Sequence, residues 1–271
     1  MSAAYLLDAA SELDRLRLQA RVWEPEAEAL FDRIGVGAGW RCLDVGCGAV
    51  GVLASLARRV GRAGRVVGLD RDERLLAAAR ELVAAEALDN VDVVAGDAFA
   101  TGLPDGSFDL VHARFMFAPL GREAALLAEL TRLTRPGGVV AIEEGDSAAW
   151  RYWPERPRVA QLLGAIAAAF AAGGGDFDVG RRIFGMLRAA GFHDVDARAA
   201  VLALPGGHPY LALPAQFAAS LRTRIVDGGI MSADDLDAAV AECGEAARDP
   251  ETYATTFVVT QAWGRRAVTA P

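Results

Sequence analysis

The chain has 271 residues, 53% of them apolar and 24% charged, with a formal charge of −8. That length suits one large α/β domain or two small ones, and no apolar run approaches the ~18 residues of a membrane span. Every basic residue is an arginine; without a lysine cluster and with an acidic balance, the composition argues against a nucleic-acid partner.

The N-terminal stretch MSAAYLLDAASELDRLRLQAR spaces acids and arginines as a helix does, instead of placing a basic end before an apolar run. It predicts no secretory signal and a cytoplasmic protein. Residues 5–34 read as two amphipathic helices broken near Pro25, one striped by Leu6, Leu13 and Leu16, the other by Leu30, Phe31 and Ile34. GVGAG at 35–39 stops the second.

Short apolar runs then alternate with helical patterns: strands at 41–45, 65–70, 91–97 and 108–113, helices at 52–60, 73–87 and 122–134, and a strand VVAIEE after Pro136-Gly137-Gly138. Strands this apolar, spaced by helices, predict a parallel sheet covered on both faces. Residues 146–178 are less regular, holding Trp150, Tyr152 and Trp153 and a helix near 159–172. A helix at 180–190, a strand near 195–204, a helical insertion over 208–250 and the strand-like TYATTFVVTQAW follow. Cys42, Cys47 and Cys243 cannot all pair and lack metal-ligand spacing, so they read as reduced, packed thiols with no metal site.

The sharpest motif is CLDVGCGAVG at 42–51, in which Gly46, Gly48 and Gly51 spell the G-x-G-x-x-G of dinucleotide enzymes. Asp70, 19 residues after Gly51, suits a ribose-binding acid. A pyrophosphate, however, must rest at the helix N-terminus after the turn, and Asp44 beside it costs on the order of a few kcal/mol. Asp44, Asp70 and Asp97 recur at one βαβ period, 26 and 27 residues apart, so all three face the crevice beyond the strand ends. S-adenosylmethionine (SAM) uses all of them. Asp44 meets its ammonium, Asp70 its ribose hydroxyls and Asp97 its adenine amino group, while the Ala98 amide donates.

LDVGCG, VVGLD, GDAFATGLPDGSFDLV and LTRPGGVVAIEE resemble successive motifs of the class I SAM-dependent methyltransferases, over about residues 35–145. The likeness is closest to small-molecule enzymes similar to those of ubiquinone and menaquinone biosynthesis. It implies a Rossmann-like, mostly parallel seven-stranded sheet with helices on both faces and an antiparallel last strand near 253–263. An N-terminal helical cap (1–34) and lid insertions near 146–178 and 208–250 would complete the methyltransferase domain (35–271). Val50 departs from the family's D-x-G-x-G-x-G. Because a valine avoids positive φ, residue 50 should open the helix and Gly51 should serve close packing.

The resemblance places the cofactor on Asp44, Gly46, Cys47, Gly48, Asp70, Arg71, Asp97, Ala98 and Arg114, with Gln19 and Tyr5 closing over it from the cap. Arg114 contacts SAM or pairs a substrate carboxylate, or else forms a surface salt bridge; the RFMF run there is unlike the motif of DNA methyltransferases. His112 and His208 are the candidate bases, although His112 reads more readily as a hydrogen-bonded structural residue. Glu143, Glu144 and Asp146 read as a solvated loop with one helix-capping acid, or else as a metal-binding or basic pair. Phe115 is a candidate acceptor contact, and Trp150, Tyr152 and Trp153 either form an apolar acceptor wall or anchor the lid to the sheet, with at least one expected to face the cavity. The expected activity is methyl transfer from SAM to a small hydrophobic or aromatic metabolite, by a monomer or homodimer with no membrane partner. The alternatives are a SAM-binding protein without transferase activity and an NAD-dependent oxidoreductase.

Overall fold

The computed structural model describes residues 12–268. In chain order its elements are α1 (Glu12–Ile34), β1 (Arg41–Val45), α2 (Leu53–Val60), β2 (Arg65–Asp70), α3 (Glu73–Ala85), β3 (Val91–Ala95) and β4 (Phe108–Arg114). Then come α4 (Phe117–Leu120), α5 (Glu123–Leu133), β5 (Thr134–Asp146), β6 (Arg151–Trp153), α6 (Pro157–Ala172), α7 (Ile183–Ala189), β7 (His193–Ala200) and β8 (Ala203–Pro205). The last are α8 (Leu213–Asp227), α9 (Ala233–Arg248), β9 (Tyr253–Thr255) and β10 (Val258–Arg265). Seven strands form one sheet in the order β3-β2-β1-β4-β5-β10-β7. Only β10 runs antiparallel to its neighbours, β5 and β7, as expected for the last strand.

Strand alternation divides the core. Leu43, Val45, Val111 and Ile142 face α5 and α7, whereas Cys42, Val66, Leu110 and Ala141 face α1, α2 and α3. Full burial of each large side chain stabilises by ~1.5–3 kcal/mol, so both faces anchor the strand ends that make the site. Reversal of strand order between β1 and β4 opens the crevice at their carboxyl ends.

The expected break at Pro25 is absent: α1 is one helix with the proline inside it. Its buried residues, Glu12, Arg15, Gln19, Trp23, Ala27, Leu30 and Ile34, follow one helical stripe. Pro25 and Arg21, the residue whose carbonyl loses its donor, both lie on the exposed face. Water can satisfy that carbonyl, so the packed stripe overrides the breaker. Tyr5 lies outside the described residues.

The strands expected at 195–204 and 252–263 each divide between two sheets. β8 and β9 join β6 in a small antiparallel sheet, whereas β7 and β10 enter the large one. The crossing is pinned where Thr256 N donates to Leu202 O and Leu202 N to Thr256 Oγ1, both at 3.0 Å. Helices α6, α8 and α9 pack together beside this small sheet. Glu242 of α9 caps α6 by accepting from Arg158 N at 2.8 Å and Val159 N at 3.0 Å. Among the described residues no helix is long and apolar enough to cross a membrane.

Candidate active site

The turn after β1 is tied to β2 by two amides, Gly46 N and Cys47 N, which donate to Leu69 O at 2.7 and 3.0 Å. Gly51 adopts φ +49°, and a Cβ there would lie 2.2 Å from Asp44 Oδ2 and 2.8 Å from Cys47 O. Only glycine fits. Gly46, at φ +74°, has Met116 against it, since a Cβ would come 2.0 Å from the Met116 sulfur. Val50 avoids the left-handed region, as expected, but it sits in the turn, and the helix begins three residues later at Leu53. The turn needs those residues to carry the chain over Asp44, whose Oδ2 accepts from Val52 N at 3.2 Å.

One cavity of about 780 Å³ receives every cofactor position expected among the described residues: Asp44, Gly46, Cys47, Gly48, Asp70, Arg71, Asp97, Ala98, Arg114 and Gln19. That volume lies within the ~300–1,000 Å³ of small-molecule sites. Asp70 accepts from Gly48 N and Asp72 N, both at 2.9 Å, and burial raises its carboxyl above the ordinary range. Asp97 accepts from Phe99 N at 2.9 Å, which fixes it at the rim. Arg114 donates through Nη2 to Gly51 O at 3.3 Å, while its buried Nη1 has no hydrogen-bond partner. From α1, Arg15 donates to Gln19 Oε1 at 2.7 Å and to both Glu12 oxygens. Burial also pushes the Cys47 thiol up, so it is a packed thiol and not a nucleophile.

The structural reading of His112 holds, whereas the base readings and several other expectations need correction. His112 is fully buried, with Nδ1 2.8 Å from Asp44 Oδ1 and Nε2 2.8 Å from Glu143 Oε1. It touches no cavity surface, so it cannot reach an acceptor as a base. His208 is also away from the cavity; its ring accepts from Tyr210 N at 3.1 Å at the start of a short helical turn. The acids at the end of β5 are not a solvated loop. Glu143 is held by His112 and Gln261, and Glu144 accepts from Phe117 N at 2.6 Å. Asp146 accepts from both Arg181 Nε and Nη2, at 2.6 and 2.7 Å, which holds its carboxyl below the ordinary range. Burial pushes Glu144, which lines the cavity, up to about 8 against the pull of the backbone amides. Glu144 thus clamps the start of α4 and supports Phe115, a non-glycine residue at φ +57°, a conformation that costs on the order of 1–3 kcal/mol.

Aromatic rings do line the cavity, but apart from Phe115 they are not the ones expected. Phe115 lines the cavity; Trp150, Tyr152 and Trp153 do not. Trp150 stacks on the far side of Phe177 at 5.6 Å and meets Phe217 and Phe257 edge-on. Tyr152 is buried and donates to Leu211 O at 2.7 Å. Trp153 is 44% exposed and packs on Tyr253. The cavity surface belongs to Phe170, Phe177, Phe217 and Phe257, together with Phe115 and Met116. Each phenylalanine sits alone in its segment, so no local cluster in the sequence marks it.

Residues 42–138 match a methyltransferase domain family. The chain is 37% identical over 117 residues to the demethylmenaquinone methyltransferase of Geobacillus kaustophilus (strain HTA426), covering 43% of this chain and 50% of that protein. It is 34% identical over 194 residues to the nocamycin O-methyltransferase of Saccharothrix syringae, covering 64% and 66%. The chain spans about half the length of most of the curated relatives it matches first. Its fold is similar to that of a SAM-dependent methyltransferase from Aquifex aeolicus, with a TM-score of 0.52 at 24% identity over 73% of this chain and 93% of that one. With the glycine turn, the acids at the strand ends and the antiparallel β10 in place, the chain carries a methyltransferase domain of the class I, SAM-dependent type.

Proposed function

We propose that this chain transfers a methyl group from SAM to a small, apolar or aromatic metabolite. The observation that carries the reading is one continuous cavity with two chemistries. Asp44, Asp70 and Asp97 line one part, and Phe115, Phe170, Phe177, Phe217 and Phe257 line another. The residues fit SAM: Asp44 would accept from its ammonium, the unpartnered Arg114 Nη1 would pair its carboxylate, Asp70 would hold the ribose and Asp97 the adenine amine. When bound, SAM supplies a methyl group already activated on a sulfonium.

The protein's own task is then positioning and exclusion of water. Phe115 and Met116 stand beside the glycine turn, where the acid-lined and phenyl-lined surfaces meet. The phenyl groups favour an apolar acceptor face, and α1 closes the cavity with Gln19 and Arg15. Glu144 is a buried carboxyl on the cavity that burial keeps protonated to about pH 8, so near neutrality it meets the acceptor as an acid and not as a base. Relatives named for demethylmenaquinone and nocamycin support a small-molecule acceptor. We place the activity in the cytoplasm, in a monomer or homodimer.

NAD fits less well. The Val52 amide at the helix start, which a pyrophosphate would need, is already taken by the Asp44 carboxylate. Calorimetric titration should therefore show heat with SAM and none with NADH. Label from methyl-labelled SAM should pass to a member of a panel of aromatic and polyketide-like metabolites. Binding of SAM without transfer to any acceptor would favour the non-catalytic alternative.

A further inference from the structure

A row of polar side chains, buried except at its β7 end, crosses the sheet beneath the cofactor edge. Asp44 of β1 lies beside His112 of β4 in register, and Glu143 of β5 opposes Gln261 of β10, which opposes Arg198 of β7. Hydrogen bonds join the row end to end. His112 bridges Asp44 and Glu143 at 2.8 Å on each side, and Gln261 donates to the other Glu143 oxygen. Arg198 donates to Gln261 Oε1 at 2.9 Å and binds the Glu26 carboxylate of α1. Gln261 also donates to Glu26 O at 3.0 Å. The row therefore runs from a cavity-lining acid, across five strands, to the helix that closes the cavity.

We propose that His112 is a positioning residue for the cofactor: as an imidazolium it fixes the orientation of Asp44 toward the cofactor's ammonium and links that acid to the cap helix. This rests on the SAM reading above. Asp44 is 2% exposed and Glu143 fully buried, so each carboxylate needs a compensating partner. With a carboxylate at each nitrogen, the imidazole can satisfy both only by donating twice, as its charged form does. The groups facing His112 are Asp44 from β1, Glu143 from β5 and the Phe31 ring of α1, edge-on at 5.6 Å. Arg114, two residues along β4, adds a positive charge that acts on Glu143. The two carboxylates hold the imidazole's proton well above its ordinary range despite burial. Asp44 keeps lone pairs free on its cavity side, because each carboxylate oxygen accepts two hydrogen bonds and His112 and Val52 N take one apiece.

The test compares two ligands. S-adenosylhomocysteine carries the amino-acid tail, and methylthioadenosine is the same nucleoside without it. In His112→Gln, affinity for S-adenosylhomocysteine should fall about tenfold or more, while methylthioadenosine stays within about threefold of wild type. Equal losses for both ligands, or none for either, would overturn the proposal, since a merely structural role does not discriminate the tail. Should His112→Gln fail to fold, the wild-type protein decides. It has three histidines, so heavy-nitrogen labelling with His193→Gln and His208→Gln for assignment isolates the His112 signals. At about pH 8 both ring nitrogens should be protonated, and both signals should move with S-adenosylhomocysteine but not with methylthioadenosine. A neutral ring, or signals indifferent to the tail, would refute it. A wild-type protein that takes up neither ligand would instead remove the SAM reading, and the proposal with it; the first titration shows which has failed.

Discussion

The two parts of the cavity are built on opposite plans. The acid-lined part comes from the carboxyl ends of adjacent strands, β1, β2 and β3, within about sixty residues of chain. Its geometry follows from the sheet, and its side chains are short. The phenyl-lined part gathers rings from β4's end, α6, α8 and two connecting segments, Phe115 to Phe257. Its geometry depends on how helices pack, with a second layer behind it. The first surface is fixed by backbone, whereas the second is only as rigid as its support.

The largest expected effect tests that support. Trp150→Ala removes the ring stacked behind Phe177 and should destabilise the fold by ~3–5 kcal/mol, read by denaturant unfolding. Below its melting temperature the variant should bind SAM with affinity within about threefold of wild type. A tenfold loss of SAM affinity would erase the distinction between the two parts.

The next test is pH. The folded state holds the His112 proton to about pH 9, while the unfolded imidazole releases it near 6.5. Its stabilisation is therefore complete below about 6.5 and lost as pH rises to about 9. Glu144 acts in the same direction, since its folded carboxyl keeps a proton to about 8 whereas an unfolded one ionises near 4.5. Stability should fall by on the order of 2 kcal/mol or more between about pH 6.5 and 9. A flat melting temperature across that window would mean that the polar row is uncharged.

Asp70→Ala should weaken SAM at least about tenfold, because two ribose hydroxyls lose their acceptor at ~1–3 kcal/mol each; calorimetry reads it. Phe217→Ala should lower acceptor kcat/KM several-fold while SAM affinity changes by less than about 1 kcal/mol. A variant with the opposite pattern would exchange the roles of the two surfaces. The smallest effect belongs to Trp153→Ala, which should stay within about 0.5 kcal/mol of wild type in stability and leave turnover unchanged, as expected of a half-exposed ring away from the cavity.

The same contrast explains what could be read from sequence. The acids and glycines of β1 to β3 were legible because one βαβ period and one turn specify them locally. Trp150 and Trp153 were misassigned because aromatic character does not say which way a ring faces. Phe170, Phe177, Phe217 and Phe257 form no local cluster: 170 and 177 stand seven residues apart in different segments, and 217 and 257 lie 40 or more residues further on. The burial of Glu143 was hidden because its partners, His112 and Gln261, lie 31 and 118 residues away. One clue was available for His112: strands carrying Asp44 and His112 are neighbours in this fold class, and both residues occupy the same face. Pro25 misled because a proline's effect on a helix depends on which side meets water.

The placement of β10 has a consequence for biosynthesis. This strand lies inside the sheet, between β5 and β7, yet it follows every other strand of that sheet in the chain. On the ribosome, β5 and β7 lack the strand that joins them until residues 258–265 emerge. Until then Glu143 lacks Gln261, and Arg198 has only Glu26 of α1. The sheet therefore cannot zip up vectorially with translation. It closes in a late, long-range step of the kind that folds slowly and leaves strand edges open to aggregation.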